Sequence, residues 1–122
     1  MRELVHSSKN NTKNDKIIVV SVMKDESLYI EDFIKHYLNL GVDHIILVDN
    51  ISSDNSIELA KKFEKVTIYK DDFDFANERV KIKKQYLNHY GKNKWCLLVD
   101  VDEFFDFPRT NDIKSFPEFI HY

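Results

Sequence analysis

The chain has 122 residues, with 18 Lys and Arg against 21 Asp and Glu and a formal charge of -3. That length bounds it to about one domain, and the missing basic surplus argues against a general nucleic-acid or anionic-membrane binder. Cys96 is alone, so no intramolecular disulfide or cysteine zinc cluster is available. Gly41 and Gly91 stand too far apart for a P-loop or a G-x-G-x-x-G cradle.

Residues 1–15 are rich in Ser, Asn and Lys and read as a flexible N-terminal lead-in without a signal peptide's apolar stretch. Residues 16–122 read as the domain. Residues 17–22 are a continuous β-branched run, the pattern of a strand buried on both faces. Ile30, Phe33, Ile34, Tyr37 and Leu38 then recur at helical spacing, with Asp25 or Ser27 as the expected cap and Gly41 as the stop. Residues 44–48 predict a second buried strand. A second helix follows, capped by Ser53 or Asp54, with Ile57, Ala60 and Phe63 inward. Residues 66–69 predict a third strand. A helix over about 76–90 places Val80, Leu87 and Tyr90 inward, and residues 95–99 predict a fourth strand.

Strands alternating with helices predict an α/β class: a doubly wound, mainly parallel sheet with helices on both faces. In such sheets ligands bind beyond the carboxyl ends of the strands. Those ends carry Lys24-Asp25-Glu26, Asp49-Asn50, Asp71-Asp72 and Asp100-Val101-Asp102. Two carboxylates about 5 Å apart repel by about 3 kcal/mol at an effective dielectric of 20, and a divalent cation relieves that repulsion. If residues 100–102 are extended, both aspartates face one site, and hard oxygen ligands suit Mg²⁺ or Mn²⁺.

Lys24-Asp25-Glu26, the Asp49-Asn50-Ile51-Ser52-Ser53-Asp54 stretch and residues 95–105 around the D-x-D together resemble the GT-A glycosyltransferases, specifically the family-2-like and family-92-like group. The likeness extends over residues 17–120. It implies a Rossmann-like nucleotide-binding half that takes a nucleotide-sugar, with a UDP-sugar favoured, through Mn²⁺ or Mg²⁺. The sugar would pass to a glycan or lipid-linked acceptor. Nucleotide-sugar contacts then map to Asp25, Glu26, Asp49, Asp100 and Asp102, and metal contacts to Asp102 and Asp100. Asp25 stands where the group has Asn, and Ile51 replaces a small or polar residue. The resemblance further implies that the chain is the donor-binding part of a longer domain, truncated after the D-x-D region with no assignable catalytic base. Residues 113–119 would be its short helix after the D-x-D. Composition and the lack of a long apolar run read as a cytoplasmic setting, with a membrane-peripheral one as the alternative, and the resemblance implies association through surfaces that a C-terminal half would cover.

Two competitors stand beside this reading. A haloacid-dehalogenase-like phosphotransferase also uses D-x-D, but after its first strand. A truncated or degenerate module would bind nucleotide or a partner without turnover. The basic residues Arg79, Lys81, Lys83, Lys84, Lys92 and Lys94 read as a solvated helix face. His6, His36, His44, His89 and His121 read as structural or surface groups, Cys96 as a small core hydrophobe, and Phe73, Phe75, Phe116 and Phe119 as a candidate apolar patch.

Overall fold

The two most apolar runs of the chain become adjacent central strands. In the computed structural model, which describes residues 2–7, 15–104 and 119–122, β2 (Ile17–Met23) lies parallel to β3 (His44–Asp49). Because successive side chains of a strand point to opposite faces, each run feeds two cores. Val19, Met23, Ile45 and Leu47 pack with Ile30, Phe33, Ile34 and Tyr37 of α1 (Ile30–Asn39) and Ala60 of α2 (Ser56–Ala60). Ile18, Val20, Val22, Ile46 and Val48 pack on the other face with Ile82, Tyr86 and Leu87 of α3 (Phe75–Tyr90). A strand that alternated polar and apolar residues could not do this, which is why the runs are continuous.

Beside β3 lies β4 (Val66–Asp71), and beside β2 lies β5 (Trp95–Leu98), both parallel to their neighbours. Two strands not anticipated from sequence close the edges. β1 (Arg2–His6) pairs antiparallel with β4, and β6 (Ile120–His121) pairs antiparallel with β5. The architecture is therefore α/β with a six-stranded mixed sheet in the order β1-β4-β3-β2-β5-β6. Residues 2–6, expected within a loose lead-in, are an edge strand, because the exposed ladder of β4 offers them hydrogen-bond partners.

Helix boundaries follow local chemistry. Gly41, with φ of 100°, takes the left-handed position that ends α1. Gly91 answers a different need. A Cβ there would lie 2.7 Å from Leu87 Cδ1, 2.8 Å from the Leu87 carbonyl oxygen and 2.9 Å from Cys96 Sγ. The carbonyl belongs to the last turn of α3 and cannot rotate away. Gly91→Ala is expected to destabilise the fold by about 1–3 kcal/mol, the usual cost of overpacking, and urea denaturation measures it.

The inner face of α3 differs from expectation. Val80 is exposed, while Ile82, Lys83, Tyr86 and Leu87 are buried. Cys96 is buried as expected, and burial pushes its thiol up to about 11, against a smaller opposite pull from Lys94. His44 is buried with Nε2 2.7 Å from Thr67 Oγ1. Phe119 is buried, and Phe73 and Phe75 are half-buried and stacked. The helix expected over 113–119 lies outside the described residues apart from Phe119. Among the described residues no helix is long and apolar enough to cross a membrane.

Candidate functional site

The β2–α1 and β3–α2 loops are joined by side chains that accept from backbone N–H groups. Asp25 Oδ1 accepts from the N–H of Ser53 at 2.6 Å and of Asp54 at 3.2 Å, while the Asp25 N–H donates to Ser52 Oγ at 2.8 Å. The Glu26 N–H donates to Ser56 Oγ at 2.9 Å, and the Ser27 N–H to Asp54 Oδ2 at 3.1 Å. Asp25 therefore serves the neighbouring loop rather than capping α1, whose N-cap position is Tyr29 without a side-chain bond. The N-cap position of α2 is Asn55, without a side-chain bond, rather than Ser53 or Asp54, but Asp54 just before it accepts from the N–H of Ser56 at 3.0 Å and from its hydroxyl. Desolvation pushes the Asp54 carboxyl up, but the Ser56 and Ser27 donors outweigh that and hold it down at about 2.

The two loops also carry unusual backbone. Asp25 has φ of 54° and Ile51 has φ of 53°. Aspartate tolerates the left-handed region, whereas a β-branched isoleucine there is strained. Asp49 is fully buried and both its oxygens accept from Ser52, the N–H at 2.9 Å and the hydroxyl. Its carboxylate thus shapes the loop. Asn50, also buried, clamps the next crossover: its Nδ2 donates to the Phe73 carbonyl at 3.0 Å, and its Oδ1 accepts from the Phe73 N–H at 3.3 Å.

Residues 100–103 form a turn rather than an extended segment, so the alternation argument for their carboxylates does not apply. The Glu103 N–H donates to the Asp100 carbonyl at 3.0 Å, and the Asp100 N–H donates back to Glu103 Oε1 at 2.7 Å. The Tyr37 hydroxyl, reaching out of the α1 core, donates to the Glu103 carbonyl at 2.8 Å. Within this turn the two aspartates differ. Asp100 is partly buried, and Lys83 Nζ donates to its Oδ1 at 3.0 Å. Asp102 is exposed and, among the described residues, forms no ion pair.

Lys83 is the functional candidate that sequence reasoning missed. Its side chain is only 8% exposed, so it is not part of a solvated face. The signal was present, because Lys83 falls three residues after Val80 and four before Leu87, on the stripe expected to face inward. A cation on an apolar stripe implies a buried partner.

The end of β2 and the end of β5 are neighbours through the parallel pairing of those strands. Glu26 records their proximity electrostatically. Partial burial raises its pKa, and the charges of Asp102, Asp54, Asp100 and Asp25 raise it further. Negative charge is thus concentrated around Glu26 and Asp102, with Lys83 offsetting it at Asp100. Asp71, by contrast, is engaged elsewhere, accepting from the Tyr86 hydroxyl at 3.2 Å.

Among the described residues no group of three or more His, Cys, Asp or Glu side chains is arranged to hold a metal ion. Mg²⁺ and Mn²⁺ need less than that, since they keep several waters and share one or two carboxylates with a bound phosphate. The carboxylates of Asp102 and Glu26 fit that donor chemistry, and their mutual repulsion fits a cation. A groove of about 400 Å³ lined by Asp15, His89, Tyr90, Lys92, Asn93 and Lys94 lies at the start of β5, the opposite end of the sheet from these acids. The sequence was compared with known families and curated proteins, and no family model and no curated protein matches it.

Proposed function

We propose that the chain is the donor-binding part of a GT-A-type glycosyltransferase, taking a nucleoside diphosphate-sugar, with UDP favoured, together with Mn²⁺ or Mg²⁺. The observation that carries this reading is the place where the acids meet. In the order β4-β3-β2-β5 the chain builds outward from β2 in one direction and then returns to its other side for β5. Such a switch point leaves a crevice at the strands' carboxyl ends, where doubly wound folds bind nucleotides. Glu26 follows β2 and Asp100 and Asp102 follow β5, the two neighbouring strands that flank that switch point.

In this reading the finer fold is a doubly wound, Rossmann-like nucleotide-binding half. Asp102 and Glu26 hold the cation, and Asp100 accepts from a ligand hydroxyl. The strained loop of Asp25 and Ile51 lies against the nucleotide. Asp49 acts indirectly, by fixing Ser52 and through it the Asp25 backbone. A bound divalent cation would supply positive charge to offset a departing nucleoside diphosphate. Transfer to a glycan or lipid-linked acceptor would further need a catalytic base to deprotonate the acceptor hydroxyl.

Calorimetric titration of UDP into the chain, with and without Mn²⁺, tests the reading. UDP is expected to bind only when Mn²⁺ is present, and Asp102→Ala is expected to abolish that binding while leaving the circular dichroism spectrum intact. Metal-independent binding, or binding undiminished in Asp102→Ala, would refute it.

A further inference from the structure

Burying a lysine ammonium is costly unless it is paired, and even a paired one repays little in stability. Lys83 bears that cost, with 8% of its side chain exposed, for one polar contact among the described residues: Nζ to Asp100 Oδ1 at 3.0 Å. Asp100 is thereby fixed twice, its backbone by the reciprocal bonds with Glu103 and its carboxylate by Lys83. Asp102, two residues on in the same turn, is exposed and outside any ion pair among the described residues. The two halves of the D-x-D thus stand in opposite electrostatic states.

Resting on the nucleotide reading above, we infer that Lys83 is a positioning residue that divides the labour of the D-x-D, holding Asp100 as a neutralised hydrogen-bond acceptor and leaving Asp102 to meet the cation. A divalent ion approaching Asp100 would have to displace an ammonium already seated there, and would feel its repulsion. Lys83 therefore sets both where the cation binds and how tightly. It keeps affinity for the bare ion low, so that a phosphate-bearing ligand is needed to complete the site. Nothing in this role requires Lys83 to touch the ligand.

The test is Mn²⁺ alone titrated into the full chain, with free Mn²⁺ followed by electron paramagnetic resonance. Lys83→Met keeps the apolar stem and removes the charge, releasing Asp100. It is expected to bind Mn²⁺ about tenfold more tightly than the wild type, about 1.4 kcal/mol. Lys83→Arg should stay within about twofold of the wild type, since it keeps the positive charge whose field at the site is at issue. Adding Asp100→Asn to Lys83→Met should cancel the gain, because the gain runs through that carboxylate. Lys83→Gln keeps a donor to Asp100 without the charge and serves where the Met variant does not fold, with the same tightening expected. Unchanged or weaker Mn²⁺ binding in a folded, uncharged variant would overturn the inference, as would a gain that survives Asp100→Asn. A wild-type chain that takes up no Mn²⁺ even with UDP present overturns the nucleotide reading itself, a distinguishable outcome.

Discussion

Tyr37→Ala is expected to destabilise the fold by about 3–5 kcal/mol, the range for emptying a large aromatic site in a core. Tyr37 is fully buried, and its ring meets Phe33 edge-on at 5.0 Å between centroids. It packs among Val19, Ile34, Leu47 and their neighbours on the α1 face of the sheet. A loss of that size is a large part of the roughly 5–15 kcal/mol that holds an ordinary domain together. The informative partner is Tyr37→Phe. It keeps the ring and deletes only the hydroxyl that donates to the Glu103 carbonyl, so it should cost about 1 kcal/mol. Because that bond ties the helix core to the turn of Asp100 and Asp102, the Phe variant should lose proportionally more Mn²⁺-dependent UDP affinity than stability. Urea denaturation and calorimetry on the same samples separate the two. A Phe variant with wild-type affinity would mean that the turn holds its shape without Tyr37.

The second large effect is acid destabilisation through His44. Burial, reinforced by the positive charge of Lys94, lowers its pKa from the usual 6.5 to about 4. The folded state therefore holds His44 neutral where the unfolded chain would protonate it. With the unfolded state binding more protons between those values, stability falls as pH drops from about 6.5 to about 4. The loss is on the order of 3 kcal/mol when the shift is converted at 1.36 kcal/mol per unit. Other groups act in or near that window. Glu26 is shifted upward, first by burial and then by its acidic neighbours, and works in the opposite direction, favouring the fold as it protonates. Asp54, an exposed residue, is pushed up by desolvation but held down at about 2 by its Ser56 and Ser27 donors, so its contribution is lost only below the carboxylate range. Comparing His44→Gln with the wild type across pH isolates the histidine. The variant should lack this component of the acid slope, and an unchanged slope would remove His44 as its cause.

What the sequence discloses here depends on whether a residue's job is local. The strands β2 and β3 and the inner face of α1 are legible because continuous apolar runs and a 3.6-residue stripe are imposed by burial alone. Gly41 is legible for the same reason, since ending a helix is a local event. β1 is not, because Arg2-Glu3-Leu4-Val5-His6 becomes a strand only when the β4 edge is there to pair with it. Lys83 and Asp100 are 17 residues apart, and no local pattern pairs them. The D-x-D itself was legible as acids after a strand, but its geometry was not. The turn at residues 100–103 depends on Glu103 reaching back to the Asp100 N–H and on Tyr37 arriving from another helix. Asp25 and Asp49 were legible as loop acids. Their work in joining two loops through Ser52 and Ser53 needs both loops side by side.

The central claim is that a nucleoside diphosphate and a divalent cation meet between the ends of β2 and β5. Paramagnetic broadening of backbone amide signals by sub-stoichiometric Mn²⁺ in the presence of UDP tests it most directly. Signals of residues 24–27 and 100–103 are predicted to vanish first, while those of residues 89–94 around the groove at the other end of the sheet persist. Broadening centred on residues 89–94, or spread evenly over the acidic surface, would contradict the account.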